Sequence, residues 1–384
     1  MDHEITVKIS RKSTNYPIKV GSGALAAVPR WVNGKSGQRH QKIFLISNKR
    51  VFGFYGDSLL KELDRSSFDT YIHLIGDGER FKDLRTIGQL LDAFAQAGLK
   101  RSDLILALGG GVVGDAAGFA ASVYQRGIPV VQIPTTLVSM VDSSVGGKTG
   151  VNLSFGKNLA GTFSQPDAVF VDICLLSTLP RRELNAGAYE VLKHGILSGG
   201  KLFSASVDTL QVIKKKGVKE VLTKDVLREQ MNALIAEQIR FKARVVRGDE
   251  MEDPARTDPR SRKILNLGHT FGHALEKVTN YRYLKHGEAV GYGLLFAAEL
   301  SKKLELLDKN TLELLNDVVH RVGVLPPIKH IDRDELLNAF QSDKKSSPNG
   351  INWVVLKDIG KPLILSEKDI GRTAISHTLR KFVS

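Results

Sequence analysis

The sequence predicts two domains, an α/β N-terminal domain of Rossmann-like type over residues 1–180 and a mostly α-helical C-terminal domain over residues 181–384. Apolar runs with the length of buried strands alternate with helical patterns in the first domain. One of these runs leads directly into a cluster of glycines, and the patterns of the second domain are almost all helical. The length of 384 residues also favours more than one core.

The first predicted strands end in polar residues. ITVKIS and YPIKVG alternate as short strands do, and KIFLISNKRV contains a buried strand that ends at Asn48. Ligands of α/β sheets bind beside the carboxyl ends of strands. The next strand, residues 71–75, precedes the loop GDGERFKDL with Asp77, Glu79 and Lys82. This loop is predicted either to bind a ligand or to be a solvated turn.

The segment DLILALGGGVVGD, residues 103–115, is the clearest nucleotide-binding pattern. Glycines let the backbone approach a pyrophosphate, and the helix that follows offers unpaired N–H groups and a positive dipole end. Its spacing, GGGxxGD, differs from both GxGxxG and GxxxxGK[ST]. The pattern therefore predicts phosphate binding, with a tight structural turn as the alternative.

Glycine-rich loops follow the next predicted strand, residues 129–134. They carry Asp142, Lys148, Lys157 and Asn158 within VDSSVGGKTGVN and GKN. Lysines among glycines suit the capture of phosphate or carboxylate. A purely structural role is disfavoured because so many small residues beside lysines would make a poor core.

The remaining predicted elements are mostly helices. In ELNAGAYEVLKHGIL, Glu190 and Lys193 lie three residues apart on one helix face, which suits either a carboxylate metal ligand or an exposed ion pair. Lys242 lies on a long predicted helix, residues 225–246. Further predicted elements are helices over residues 86–97, 288–304, 311–322 and 367–382 and strands over residues 168–172 and 351–356.

Three histidines form the strongest constellation in the C-terminal half. His269 and His273 lie four residues apart and share one helix face, and His286 follows after a short loop. Imidazoles brought together in this way can bind a divalent metal, usually with a carboxylate from elsewhere. The alternative is a pair of satisfied helix histidines and a surface one. Gly268 and Gly272 favour the metal because they let other groups approach the backbone.

Composition argues against a disulfide-rich protein, a membrane protein and a nucleic-acid-binding protein. A hydrophobic content of 42% is ordinary for a globular chain, and the single cysteine, Cys174, suits a reducing cytoplasm without disulfides. We find no signal core and no apolar run long enough for a membrane span. The net charge of +14 is scattered and accompanies no nucleic-acid motif. An anionic small-molecule substrate and an anionic cofactor would explain part of this charge.

Taken together, the motifs resemble the 3-dehydroquinate synthase family of the sugar-phosphate cyclases over nearly the whole chain. The resemblance rests on DGERFK, GGGVVGD, YQRG, IPTTL, VDSSVGGKTGVN, GKN, EVLKHG, NLGHTFGHA, HGEAV and DKK, in this order. It implies a dehydroquinate synthase-like fold, with an NAD-binding α/β domain and a helical domain that binds metal and substrate. It further implies an active site between the domains, a zinc or cobalt ion, and a homodimer.

The resemblance also implies roles for individual residues. The metal ligands would be Glu190, His269 and His286, whereas His273 would contact the substrate. Cofactor positions match Asn48, Asp77, Glu79, Lys82, Gly111, Val112, Val113, Gly114, Asp115, Thr135, Thr136, Asp142, Lys148, Lys157 and Thr178. Substrate positions match Asp142, Lys193, Lys242, Arg262, Asn266 and one of Lys344 and Lys345, and phosphate positions match Arg126, Lys148 and Asn158. Arg126 could reach across a dimer interface.

One segment departs from the family pattern. The segment of residues 253–261 is longer than the segment that the family usually has between its acidic DE-x-E run and the following arginine. The register of Glu252 is therefore open, while the NLGH that follows anchors Arg262.

The implied substrate is 3-deoxy-D-arabino-heptulosonate 7-phosphate, a phosphorylated sugar acid of the shikimate pathway and aromatic amino acid biosynthesis. The implied reaction moves hydride from C5 to NAD, expels phosphate by β-elimination, returns the hydride, and closes the carbocycle of 3-dehydroquinate by an intramolecular aldol step. Two alternatives remain open. One is another cyclase, of the 2-epi-5-epi-valiolone or 2-deoxy-scyllo-inosose synthase type. The other is a metal-dependent alcohol or glycerol dehydrogenase, which would release NADH.

Overall fold

The computed structural model describes residues 14–34, 42–65, 68–344 and 351–383, and the side chains of residues 341–344 are not described. The predicted strand ITVKIS therefore lies outside the described residues. Among the described residues, none of the helices combines the length and the apolar character that crossing a bilayer requires.

The N-terminal half is built around a parallel sheet, as the sequence predicts. Its strands, numbered along the chain, are β1 (Ile18–Gly21), β2 (Lys42–Asn48), β3 (Asp69–Ile75), β4 (Leu104–Gly109), β5 (Val130–Pro134) and β8 (Ala168–Asp172), in the spatial order β1-β8-β5-β4-β2-β3. Every residue of β4, β5 and β8 is buried, because helices cover both faces of such a sheet. These helices include α1 (Val28–Gly34), α2 (Lys49–Asp64), α3 (Leu84–Gln96) and α4 (Gly111–Val123).

The order of the strands determines where in the sheet a ligand can bind. Strand β2 pairs with β3 on one side and with β4 on the other, so the chain reverses its direction of travel across the sheet at β2. The carboxyl ends of β2, β4 and β5, at Asn48, Gly109 and Pro134, consequently lie along one edge. Such a switch point is where ligands bind in open α/β sheets.

A two-stranded hairpin interrupts the region that the sequence predicts as loops. Strands β6 (Lys148–Leu153) and β7 (Gly156–Phe163) pair antiparallel with one irregularity, and the pair lies against α4. The residues KTGVNL and GKNLAGTF carry little of the apolar alternation from which strands are predicted. The prediction of a loop was therefore wrong here, and the lysines of this segment lie on a hairpin.

The C-terminal half is mostly helical, as predicted. Its helices are α5 (Arg181–Ser198), α6 (Gly200–Lys216), α7 (Val218–Thr223), α8 (Asp225–Gly248), α9 (His269–Val278), α10 (His286–Lys303), α11 (Lys309–Val322), α12 (Arg333–Lys344), α13 (Glu367–Ile370) and α14 (Arg372–Leu379). A hairpin of β9 (Asn352–Asp358) and β10 (Lys361–Ser366) packs beside α10. The single helix predicted over residues 367–382 is wrong, because Gly371 has φ +80° and separates α13 from α14.

Close packing of α10 against α5 positions the histidine-bearing segments. A Cβ at Gly287 would lie 1.8 Å from the backbone oxygen of Ala186, so only glycine allows this approach. One buried apolar cluster joins the sheet to α5 and α8, through residues such as Val171 of β8, Leu192 of α5 and Ile235 of α8. The site between the two halves is therefore built on continuous packing and not on a loose linker.

Candidate active site

A cleft of about 1640 Å³ lies between the carboxyl edge of the sheet and the helices that follow. It brings together most of the residues that the sequence predicts as site residues. Those lining it are Asn48, Asp77, Glu79, Lys82, Gly111, Val112, Val113, Asp115, Thr135, Thr136, Asp142, Lys148, Lys157, Asn158, Thr178, Lys193, Lys242, Arg262, Asn266, His269, His273 and His286.

A few predicted residues lie elsewhere. Gly114 is within α4 and does not line the cleft, and Glu190 is fully buried behind two of the cleft histidines. Arg126 is exposed outside the cleft, on a short helical turn after α4, with φ +67°. Only the backbone of Lys344 is described, and Lys345 lies outside the described residues.

The sheet edge forms a polar shelf with unpaired backbone donors. Helix α4 begins after Gly110 without a side-chain cap, so the N–H groups of its first turn face the cleft without a capping acceptor. A Cβ at Gly110 would lie 3.0 Å from Cγ2 of Thr136, so a larger residue would require the Thr136 side chain to shift. Beside this turn, Nδ2 of Asn48 donates to Oδ1 of Asp77 at 3.2 Å. The shelf can accept a phosphate-bearing group.

Lys82 joins three separate parts of the shelf. Its buried ammonium donates to the Asp115 carboxylate on α4 and to Oδ1 of Asn158 on the β6–β7 hairpin, the latter at 2.6 Å. Burial alone would lower the pKa of Lys82, but Asp115 and Glu79 raise it, so this lysine stays charged. The ion pair fixes the hairpin relative to the glycine-rich turn.

Glu190, His269 and His286 converge at the inner end of the cleft. Nε2 of His286 lies 3.4 Å and Nε2 of His269 lies 3.7 Å from Oε1 of Glu190. Neither carboxylate oxygen of Glu190 has a hydrogen-bond partner among the described residues, although Nζ of Lys193 lies 2.7 Å from Oε2. Both Glu190 and Lys193 are buried, so the alternative of an exposed ion pair was wrong.

Both imidazoles are oriented by acceptors on their far side. Nδ1 of His269 lies 3.2 Å from the backbone oxygen of Leu267, and Nδ1 of His286 lies 3.2 Å from Oε2 of Glu276. Because a carbonyl or carboxylate oxygen only accepts, each Nδ1 carries hydrogen and each Nε2 can offer a lone pair. Two Nε2 atoms and the buried Oε1 of Glu190 form a ligand set that suits a divalent metal.

Glu276 is a site residue that the sequence analysis missed. Its side chain is buried, and its carboxylate pairs with His286 and, at 2.8 Å, with Nζ of Lys157 on the hairpin. Burial alone would lower the pKa of His286, but Glu276 and Glu190 raise it to about 10, so a metal would bind Nε2 of His286 by displacing a proton. The signal was present in HTFGHALE, where Glu276 follows His273 by three residues on the same helix face.

His273 lies beside the other two histidines and is more exposed. Its ring centroid is 5.4 Å from that of His269 and 5.9 Å from that of His286. It also forms a second group of possible ligand atoms with Glu276 and His286. The geometry thus allows the substrate contact that the resemblance implies for His273.

Asp142 is held by lysines beside the Glu190 group. It lies in a π-helical turn, Ser139–Ser143, and Nζ of Lys242 donates to its backbone oxygen and to its Oδ1, both at 2.6 Å. Burial alone would raise the pKa of Asp142, but Lys242 and Lys193 hold it well below its ordinary value. Asp142 is therefore a carboxylate at neutral pH.

Arg262 is a buried cation without a matching anion. Its Nη1 donates to the backbone oxygen of Glu250 at 2.8 Å, and no carboxylate among the described side chains lies within ion-pair distance of the guanidinium. Burial lowers the pKa of Arg262, the direction expected of a cation that lacks a partner. An anion entering the cleft would supply that partner.

The longer segment before Arg262, residues 253–261, forms a loop whose two ends are held together by Asp249. The carboxylate of Asp249 accepts from the backbone N–H of Asp253 at 2.9 Å and of Arg262 at 2.8 Å. This closure keeps Arg262 in place despite the longer segment. Glu252, whose register the sequence left open, has φ +53° and contacts the half-exposed ammonium of Lys148.

Comparison with known proteins agrees with this architecture. Residues 72–186 match the family model described as 3-dehydroquinate synthase N-terminal, and residues 187–346 match 3-dehydroquinate synthase C-terminal. The chain is 38% identical to the 3-dehydroquinate synthase of Rippkaea orientalis over 98% of this chain and 100% of that protein. It is 40% identical to the 3-dehydroquinate synthase of Campylobacter jejuni over 89% of this chain and 92% of that protein.

A solved structure shows the same fold at lower identity. The 2-epi-5-epi-valiolone synthase of Streptomyces hygroscopicus subsp. jinggangensis, solved with NAD⁺ and Zn²⁺ bound, superposes with a TM-score of 0.83 and 24% identity. The match covers 98% of this chain and 99% of that one.

Proposed function

The chain belongs to the 3-dehydroquinate synthase family, and we propose that it converts 3-deoxy-D-arabino-heptulosonate 7-phosphate to 3-dehydroquinate and inorganic phosphate, as a carbon–oxygen lyase of the shikimate pathway. The observation that carries the proposal is the buried guanidinium of Arg262, which has no carboxylate partner within the described part of the chain. Lys148, Lys193 and Lys242 line the same cleft, but each is paired with a carboxylate of the chain, so of these four described residues Arg262 is the unmatched cation. A substrate carboxylate would supply its partner.

The shelf at the sheet edge supports NAD as the cofactor. The uncapped first turn of α4 offers N–H donors and a positive dipole end to a pyrophosphate, and Gly110 permits its close approach. Asn48, Asp77 and Thr178 line the same part of the cleft and can hydrogen-bond the nucleotide. When bound, NAD supplies a hydride acceptor that is regenerated within one turnover, so it is not consumed.

The buried carboxylate of Glu190 supports a zinc or cobalt ion held by Glu190, His269 and His286. Oε2 of Glu190 is paired with Lys193, but Oε1 is buried without a hydrogen-bond partner among the described residues, and a cation between this oxygen and the two histidines would stabilise it. Two imidazoles and one carboxylate leave positions open for substrate oxygens. When bound, the ion supplies a Lewis acid for the hydroxyl groups of the substrate.

The remaining polar residues of the cleft can be assigned to the parts of the substrate that they would bind. Lys148 and Asn158, with Arg126, would hold the phosphate, and Arg262 and Asn266 would hold the carboxylate, with one of Lys344 and Lys345. Asp142, Lys193, Lys242 and His273 line the inner part of the cleft, where they can orient hydroxyl groups and stabilise developing charge.

We also propose the organisation of the protein. The last strand of the large sheet ends at Asp172 and α5 begins at Arg181, which supports a boundary near residue 180 between an NAD-binding and a metal- and substrate-binding domain. Arg126 is exposed outside the cleft of its own chain, which supports a homodimer in which it reaches the partner's cleft. A cytoplasmic location agrees with a single cysteine.

Phosphate release with catalytic NAD tests the proposed function. Purified protein given the heptulosonate phosphate and a trace of NAD should release phosphate to completion without accumulating NADH. A chelator should stop the reaction, and added zinc or cobalt should restore it. NADH formed in step with substrate loss would instead establish an alcohol or glycerol dehydrogenase.

Replacing Glu276 with glutamine should weaken metal binding about ten- to a hundredfold, because Glu276 orients His286 and raises its basicity. Competition with a chelator at equilibrium measures this change. Glu299→Gln, on the same helix as His286 but paired with the surface residue Lys381, is the matched control and should leave metal affinity unchanged. Equal affinity in the two variants would exclude a role for Glu276 in the metal site.

Replacing Lys148 with alanine should lower kcat/KM for the heptulosonate phosphate about tenfold, because one charge-assisted contact to the phosphate is lost. The half-exposed position of Lys148 keeps the expected loss at the low end of the range. Steady-state kinetics provide the measurement, and the surface variant Lys201→Ala is the control. If Lys148→Ala behaves like this control, Lys148 is a surface charge and not a phosphate ligand.

A mixture of two inactive variants should test the dimer. Arg126→Ala and His269→Ala should each have little activity, and co-expressed together they should recover about a quarter of parental activity. The reason is that half of the dimers would be mixed, and one of their two sites would have both residues intact. No recovery above the sum of the separate variants would show that Arg126 does not serve a partner's site.

A further inference from the structure

His194 is a buried imidazole to which the proposed function gives no role. It lies on α5 and has no exposed surface. One ring nitrogen faces Gln238 on α8, and the other faces Asp142 at the floor of the cleft. A histidine in this position either only fills space in the core or also helps to position the carboxylate of Asp142.

The hydrogen bonds behind His194 determine which of its two ring nitrogens carries the hydrogen. Two backbone oxygens, those of Leu202 and Val191, can only accept hydrogen bonds, and they therefore determine which groups donate in the rest of the network. Ser206 donates to Leu202 at 2.6 Å, so its oxygen is free to accept from Nε2 of Gln238 at 2.9 Å. Nε2 of Gln238 also donates to Val191 at 3.2 Å. Oε1 of Gln238 must therefore face the ring, and Nδ1 of His194 donates to it at 3.1 Å.

With its hydrogen on Nδ1, the neutral ring of His194 presents an Nε2 without a hydrogen to Asp142, so the two groups are in packing contact and not hydrogen-bonded. Its Nε2 lies 3.4 Å from Oδ1 of Asp142 and has no hydrogen-bond partner in the described part of the chain. The same oxygen accepts from Nζ of Lys242 at 2.6 Å. The ring and the ammonium thus confine Oδ1 from two sides, in a carboxylate that lines the cleft.

We propose that His194 is a positioning residue for Asp142, held in register by Gln238 and Ser206. The inference rests on the proposed function, because Asp142 matters only if it meets the substrate. His194 makes no contact with substrate and acts through the placement of the Asp142 carboxylate. Errors of about 1 Å in such a placement can lower turnover about a hundredfold.

Two substitutions separate positioning from packing. Asparagine at His194 can keep the hydrogen bond to Gln238 but is too short to reach Asp142. Glutamine extends as far as Nε2, so its terminal amide can fill the space beside Asp142 that the ring occupies. His194→Asn should lower kcat about a hundredfold with NAD affinity and metal content unchanged, and His194→Gln should recover activity to within about tenfold of the parent.

A double-mutant cycle with Asp142→Asn gives the decisive readout. If His194 acts through Asp142, adding His194→Asn to Asp142→Asn should cost less than about twofold more in kcat. Multiplicative losses, parental kcat in His194→Asn, or equal losses in the Asn and Gln variants would each overturn the proposal. Gln238→Met, which removes the acceptor for Nδ1, should lower kcat about tenfold and replaces His194→Asn if that variant fails to fold.

The parent enzyme separates this inference from the proposed function. A parent that releases no phosphate from the heptulosonate phosphate would contradict the function itself. An active parent with kcat unchanged in His194→Asn would contradict only the role of His194.

Discussion

Replacing His269 with alanine is expected to remove most of the bound metal and to lower turnover about a thousandfold. Lewis-acid stabilisation is worth several kcal/mol, and each 1.4 kcal/mol is about tenfold in rate. His269 faces the Glu190 carboxylate with its Nε2 and is oriented through Nδ1, so alanine removes a prepared ligand. Metal content of the purified variant and phosphate release by the variant are the two measurements.

His273→Ala is the matched control for this prediction. His273 lies on the same helix face, 5.4 Å from His269 between ring centroids, but its proposed contact is with the substrate. This variant should lose activity and keep its metal. Normal metal content in His269→Ala, or metal loss in His273→Ala alone, would mean that the ligand set is His273, Glu276 and His286 instead.

Replacing Arg262 with lysine is expected to lower kcat/KM for the heptulosonate phosphate about ten- to a hundredfold. A buried charge-assisted pair is worth about 1.5–3 kcal/mol, and lysine cannot reproduce the two-pronged contact of a guanidinium with a carboxylate. The loss should be confined to substrates with a carboxylate. Steady-state kinetics and NAD binding are the measurements, the latter expected to stay unchanged.

Arg260→Lys serves as the control for Arg262, because Arg260 is exposed in the same segment. It should retain parental kinetics. If Arg262→Lys retains them as well, the guanidinium does not meet the substrate, and the account of carboxylate recognition is wrong.

Elements with long apolar patterns were predictable from the sequence. Strands β2, β4, β5 and β8 are continuous apolar runs because helices cover both faces of the sheet, and the polar residues Asn48 at the end of β2 and Thr135 after β5 line the cleft. The histidines of α9 and α10 were also predictable because their spacing places His269 and His273 on one face. The residues alone left Glu190 as a candidate carboxylate ligand, whereas family motifs, and not spacing, indicated that His273 contacts the substrate and is not a ligand.

Features that depend on contacts between distant segments could not be predicted. The β6–β7 hairpin has too many glycines and lysines to show a strand pattern, and its position depends on Lys82 and Lys157 binding other elements. Glu276 and His194 read as ordinary helix residues in the sequence. Only the folded chain shows that both are buried and face His286 and Asp142, respectively.

The most direct test of the account compares three sugar phosphates. Phosphate release is measured with catalytic NAD on the heptulosonate 7-phosphate, sedoheptulose 7-phosphate and glucose 6-phosphate. The two sugars without a carboxylate would leave Arg262 unpaired in a buried position, which adds a penalty against them. We expect turnover of the heptulosonate phosphate to 3-dehydroquinate and no phosphate release from the other two sugars. Preference for either carboxylate-free sugar would contradict the dehydroquinate reaction and favour a different cyclase activity.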